Sequence, residues 1–284
     1  MPGRPRTEPG RATVSVHDDR VARFRELHAT GCFVMPNPWD LGSARALEGL
    51  GFPALATTSA GHAWTLGRGD NQVTLDESLG HLRDVAAAVA VPLNADFEGG
   101  FAVEPEQVAE NVGRAVRTGI AGLSIEDSTG DDATPLHDVA LAVERVRAAR
   151  AAIDDSGTGV LLTARSEGFV AGRPDIAETV RRLIAYAEAG ADCLYAPRIT
   201  TADQVSAVVG AVAPKPVNLL VNSPFITVAE AADLRVRRIS VGGTLARTAY
   251  AGFLAAAQEL KDAGTVSRFE QLPDVDALLH QRSP

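Results

Sequence analysis

The chain has 284 residues, 45% of them hydrophobic and 22% charged, enough to bury a sizeable core in one large domain or two small ones. Its 27 basic against 36 acidic side chains give a net charge of −9 and an isoelectric point near 5.2, which argues against nucleic acid or an anionic membrane surface as the main partner. Cys32 and Cys193 lie in apolar runs without a CxxC or histidine-spaced companion and read as buried structural thiols.

The first segment, Met1 to Thr13, is rich in Pro, Gly and Arg but lacks the apolar core of a signal peptide. No uninterrupted run approaches the ~20 apolar residues of a membrane span. A cytoplasmic soluble protein with a loose tail over residues 1–15 is expected. Strand and helix patterns then alternate. Cys32–Met35 reads as a strand and Leu41–Leu50 as a helix, followed by strand Ala54–Thr58 and helix Leu75–Val89. Next come strand Val91–Asp96, helix Pro105–Arg117, strand Gly122–Glu126 and helix Leu136–Ile153. Strand Gly159–Ala164, helix Ile176–Ala189, strand Cys193–Ala196 and helix Thr201–Val212 continue the alternation. Strand Val217–Val221, helix Val228–Leu234 and strand Ile239–Val241 complete it, with helices Thr248–Ala263 and Phe269–Leu279 beyond.

Strands that read as continuously apolar, rather than alternating, suit a parallel sheet covered on both faces. Eight such units with no Ser- or Pro-rich linker between them predict one α/β domain, a (β/α)8 TIM-type barrel over residues 16–284. A doubly wound open sheet is the alternative, but Met35-Pro-Asn-Pro-Trp-Asp40 after the first strand is not a phosphate-binding glycine loop.

In such a barrel the chemistry collects at the C-terminal ends of strands. Polar residues do collect there. Val91-Pro-Leu-Asn-Ala-Asp-Phe-Glu-Gly-Gly-Phe101 ends a buried run in two carboxylates at alternate positions, so that a strand would direct Asp96 and Glu98 to one side as donors for a hard divalent cation. Glu126 closes the fourth strand and Arg165 follows the fifth, where a guanidinium can clamp a carboxylate or phosphonate bidentately. Asp70 sits in a loop of the kind that reaches over a barrel mouth. His62 and Trp64 near the second exit are ambiguous, whereas His28 reads as bland and His81, His137 and His280 as solvated.

The pieces Pro36-Asn-Pro-Trp-Asp40 with Ser43-Ala44, Ala56-Thr-Thr-Ser-Ala-Gly61, Gly69-Asp70 and Asn94-Ala-Asp-Phe-Glu-Gly-Gly-Phe101 carry a resemblance. With Gly122-Leu-Ser-Ile-Glu-Asp127, Thr163-Ala-Arg165 and Pro216-Val-Asn-Leu-Leu220, in this order and spacing, the chain resembles the isocitrate lyase / phosphoenolpyruvate mutase superfamily from about Phe24 to Leu260. The resemblance implies a Mg²⁺- or Mn²⁺-dependent enzyme acting on a small oxo or hydroxy acid. It also implies a homotetramer whose last helices, here the tail from about Ala249, swap between subunits. By motif position Asp96 is the direct metal ligand, with Asp70, Glu98 and Glu126 acting largely through water. Trp39, Thr58, Ala60 and Gly61 border the bound 2-oxo acid, Arg165 holds its oxyanion, and Asn218 completes the floor. Arg165, Glu126 and Asp70 are the catalytic candidates.

The loop after the fourth strand departs from better-known relatives. Isocitrate and methylisocitrate lyases carry Lys-Lys-Cys-Gly-His there and phosphonomutases a Lys-x-Asn-Ser gate, but this chain has Glu126-Asp-Ser-Thr-Gly-Asp-Asp-Ala-Thr-Pro-Leu-His137, which reads as a mobile lid. That moves the expectation to a C–C lyase or decarboxylase of 2-oxo or 2-hydroxy dicarboxylic acids with a pyruvate-like product formed through an enolate. P–C chemistry on a phosphonate and a non-catalytic oxo-acid binding protein are the alternatives.

Overall fold

The computed structural model describes residues 16–280, so the expected tail over residues 1–15 lies outside the described residues, as does the side chain of His280. Eight parallel strands carry the fold: β1 (Phe33–Val34), β2 (Leu55–Ala56), β3 (Leu93–Asp96), β4 (Gly122–Glu126), β5 (Leu161–Arg165), β6 (Cys193–Tyr195), β7 (Val217–Leu220) and β8 (Arg238–Ser240). From β2 to β8 each strand pairs in parallel with the next, and β1 pairs with β8, the strand order of an α/β barrel with its seam between β1 and β2. The β4–β5 pairing is the longest and runs in register from Gly122 opposite Leu161 to Glu126 opposite Arg165, which sets those two charged residues side by side at the strand exits.

The helices are α1 (Val16–Ala29), α2 (Leu41–Gly49), α3 (Ser59–Thr65), α4 (Leu75–Ala88), α5 (Pro105–Ala115), α6 (Val139–Ser156), α7 (Ile176–Glu188), α8 (Ala202–Val212), α9 (Val228–Asp233), α10 (Thr244–Ala263) and α11 (Val275–His280). Their apolar spacing explains how they cover the barrel. In α5 the buried Val108, Asn111, Val112 and Ala115 fall on one face at helical spacing, and each fully buried Val contributes about 1.5–3 kcal/mol to the core. Thr74 with Glu77, Thr201 with Gln204 and Thr227 with Glu230 form reciprocal caps that start α4, α8 and α9 where the loops from the barrel mouth end.

Helices α1 and α3 are additions to the expected pattern. Helix α1 lies across the N-terminal ends of the central strands: Arg25 Nη2 donates to Gly159 O at 2.6 Å, and a Cβ on Gly122 would stand 2.6 Å from the Phe24 ring. Only a glycine lets that plug seat. His28 belongs to it and is buried against Arg238, with Nη1 and Nε2 3.2 Å apart; burial, reinforced by that guanidinium, pushes its pKa down to about 3.

Between β1 and β2 the wall is closed by fewer bonds than elsewhere. Ala56 N–H donates to Pro36 O at 3.1 Å, and the Asn37 side chain donates to Thr57 O at 2.9 Å while its Oδ1 accepts from Val241 N and Gly242 N. Past the barrel, α10 buries only Ala246 and exposes Tyr250, Phe253, Leu254 and Leu260.

Candidate active site

A cavity of about 260 Å³ opens at the C-terminal ends of the strands. Acidic side chains from the exits of β3, β4 and β5 converge on a single cation there. Arg165 Nη1 stands 2.7 Å from Asp96 Oδ1 and 3.1 Å from Glu126 Oε2, and its Nε and Nη2 each stand 3.0 Å from Glu167 Oε1. Its guanidinium also lies over the Tyr195 ring, 5.1 Å from the centroid. The second oxygen of Asp96 accepts from both the backbone N–H and the hydroxyl of Ser59, each at 2.9 Å, which ties β3 to the start of α3.

The electrostatics record a shortage of positive charge. Burial lifts the carboxyls of Glu126 and Glu167 above the usual range, with Arg165 opposing it in both. Burial, followed by the nearby Asp96 and Asp70, pushes Glu98 up to about 8. Asp70 belongs to an exposed residue, yet desolvation of its carboxyl and then the charge of Asp96 raise its pKa too. Burial works against the Arg165 cation, but Glu167, Glu126 and Asp96 outweigh it and hold the pKa well above the ordinary value. Tyr195 is pushed up to about 12, first by burial.

This donor set fits a hard divalent cation. Every candidate ligand is a carboxylate oxygen, and added positive charge offsets the burial and, after it, the mutual repulsion that raise Asp70, Glu98 and Glu126. Among the described residues no group of three or more Asp, Glu, His or Cys side chains is placed to hold a metal ion by itself.

Behind the cluster stands a buried frame. Asp127 Oδ1 accepts from the Glu167 N–H at 2.7 Å, while its Oδ2 accepts from Tyr186 Oη at 2.6 Å and Arg182 Nη1 at 3.0 Å. Arg145, also buried, donates to the carbonyls of Glu126, Gly99 and Ala102 and fixes the turn after β3 against the exit of β4. The loop after Glu126 is closed by Ser128 pairing with Leu136 and by Thr129 N–H donating to Pro135 O at 3.1 Å. Only Ser128 of this hairpin lines the cavity.

Thr58, Ala60, Asp70, Asp96, Glu126, Arg165 and Asn218 line the cavity; Trp39, Gly61 and Glu98 do not. A Cβ on Gly61 would sit 2.9 Å from Trp39 Cβ and 2.6 Å from Thr58 Cγ2, so the close approach of these two residues leaves no room for a side chain at 61. The expected alternation of Asp96 and Glu98 along one strand does not form, because β3 ends at Asp96 and Glu98 turns with φ +48°. Glu98 instead shares a side cavity with Asp96, His62 and His81. Those two imidazoles stack at 3.8 Å with both Nε2 atoms buried, so His81 is not solvated; nor is His137, whose ring is buried beneath the hairpin. Asn218 lies on the floor, accepting from Arg238 Nε at 2.8 Å and donating to Ser240 Oγ at 2.9 Å.

Ser59 and Glu167 are among the polar residues that the sequence places at the exits of the second and fifth strands, whereas Tyr195 and Arg238 are contributors that sequence reasoning did not single out.

The sequence model of phosphoenolpyruvate phosphomutase matches residues 24–261. A Burkholderia cenocepacia J2315 structure described only as a lyase or mutase is 44% identical, covering 92% of this chain and 96% of that one with a TM-score of 0.89. An uncharacterized Mycobacterium tuberculosis protein is 33% identical over 88% of this chain and 91% of its own length. The structure of an oxaloacetate acetylhydrolase with its product oxalate is 28% identical, with coverages of 92% and 94% and a TM-score of 0.82.

Proposed function

The chain belongs to the phosphoenolpyruvate phosphomutase family, and from that premise we propose that it is a Mg²⁺- or Mn²⁺-dependent lyase or decarboxylase. The bond cleaved is a C–C bond of a small 2-oxo or 2-hydroxy dicarboxylic acid, with a pyruvate-like product formed through an enolate. The observation that carries this reading is Arg165 gathered with Asp96 and Glu126 at the exits of three adjacent strands. Asp96 would hold the cation directly, with Asp70, Glu98 and Glu126 around it. When bound, the cation supplies positive charge opposite the oxygen on which the enolate charge develops. Arg165, its charge secured and its position fixed by the acids around it, can offer an N–H from its guanidinium edge to that same oxyanion, a preorganised interaction. Thr58 and Ala60 border the acid's 2-oxo end, and Asn218, held at both ends of its amide, fixes the floor.

A panel of four- to six-carbon oxo and hydroxy diacids, assayed with and without Mg²⁺, tests the reading. Release of pyruvate or a related oxo acid from one of them, only with metal, is the expected result. No turnover across the panel would remove it, and conversion of phosphonopyruvate seen by phosphorus NMR would replace it with P–C chemistry.

Assembly as a homotetramer with exchanged C-terminal helices is part of the proposal. Helix α10, about 30 Å long at helical rise, exposes Phe253 and Leu254 at 63% and 58%, an apolar face that a second copy would cover. Light scattering on the purified chain is expected to return the mass of four chains, and a monomer would rule the exchange out.

A further inference from the structure

The cavity is divided electrically across the barrel axis. Asp70, Asp96, Glu126 and Glu167 line it from the exits of β2 to β5, whereas β6 and the first turn of α10 contribute Arg198 and Arg247. Arg165 does not alter the division, because it is engaged by three carboxylates. No ion pair or hydrogen bond engages the Arg198 guanidinium among the described residues. Its backbone is left-handed, φ +66°, three residues past the end of β6, a conformation in which glycine would be comfortable and an arginine is not. Arg247 stacks over the Trp64 ring, 4.8 Å from the centroid, and among the described residues has no carboxylate partner either. Beside it Gly242, Gly243 and Thr244 line the cavity at the start of α10, which has no side-chain cap.

We propose that Arg198 and Arg247 form the subsite for the second, distal carboxylate of the substrate, so that the chain selects diacids over monoacids. This rests on the reading above that the 2-oxo end sits at Asp96 and Arg165. An acid held there has its far end toward β6 to β8, and a charged far end is repelled by the acidic wall and drawn to two uncommitted guanidinium groups, each able to grip a carboxylate bidentately. A cavity of about 260 Å³ keeps both ends of a small acid within reach of its walls. A substrate with a neutral far end would leave this basic side without an anion to recognise.

Calorimetric titration of the Mg²⁺-loaded protein with pyruvate and with 3,3-difluorooxaloacetate separates the two ends of the cavity; the latter is an inhibitor bound in a related oxaloacetate acetylhydrolase structure. The parent chain is expected to bind the diacid at least tenfold more tightly than pyruvate. Arg198→Gly suits the left-handed backbone and so keeps the fold; it is expected to weaken diacid binding at least tenfold and pyruvate binding less than twofold. Arg247→Gln acts in the same direction, and Arg198→Lys recovers part of the loss. An unchanged ratio of the two affinities in Arg198→Gly, or an equal loss for both acids, overturns the subsite alone. If neither acid binds the parent chain, the underlying reading falls and the subsite with it.

Discussion

Replacing Asp96 with alanine is expected to lower kcat/KM for the diacid turned over by the parent chain by at least ~10³-fold, equivalent to about 4 kcal/mol of transition-state stabilisation. The size follows from how much meets at one carboxylate. Asp96 holds Arg165 at 2.7 Å and accepts two hydrogen bonds from Ser59, so its loss removes the proposed direct ligand and frees the guanidinium to settle on Glu126 and Glu167. Asp96→Asn separates these effects: the amide oxygen can still accept from Ser59, so folding is kept, but the negative charge is gone and activity is expected to stay lost. Steady-state kinetics and Mn²⁺ binding read by paramagnetic resonance check both variants. Activity within tenfold of the parent in Asp96→Ala would sink the assignment.

The second large effect is on stability. Asp127→Ala is expected to destabilise the fold by about 3–5 kcal/mol, measured as a shift of the urea unfolding midpoint, because it strips a buried guanidinium and a buried phenol of their shared acceptor. Arg182 keeps Glu178 at 2.8 Å and the His137 carbonyl at 3.0 Å, which places the expectation toward the lower end. Activity should fall as well, since the Glu167 N–H is anchored on Asp127 and Glu167 flanks Arg165. Asp127→Asn, which keeps oxygen for one donor, is expected to recover part of the loss. A cost below about 1 kcal/mol would show that the frame does not hold the cluster.

The barrel was legible because its strands are buried on both faces. Gly122–Glu126 was bounded correctly to the residue, since glycine opens the run and a carboxylate closes it. Arg165 was expected just past its strand but ends it, and β8 begins at Arg238, because a barrel interior accepts an arginine whose neighbours Asn218, Thr163 and His28 take its hydrogen bonds. Helix α1 was missed since its apolar residues, Val21, Phe24 and Leu27, are sparse among charges, and α3 since it is short and holds Gly61. Asp96, Glu126 and Arg165 stood out as charges ending apolar runs. Glu98 did not follow the pattern because the chain leaves the strand one residue earlier. Asp127 owes its role to Arg182 and Tyr186, 55 and 59 residues away, a pairing that no local pattern announces.

Asn37 links three strand exits with one side chain. It donates to Thr57 after β2 and accepts from Val241 and Gly242 after β8, spanning 204 and 205 residues of chain. The cost of closing so long a loop is met only once the far partner is in place. The lip formed by Thr57, Thr58 and Ala60 therefore waits on the last strand of the barrel: a ribosome must deliver Gly242 before the acid-binding end of the cavity can exist, and a chain truncated ahead of β8 would carry Asp96 and Arg165 without the wall they face.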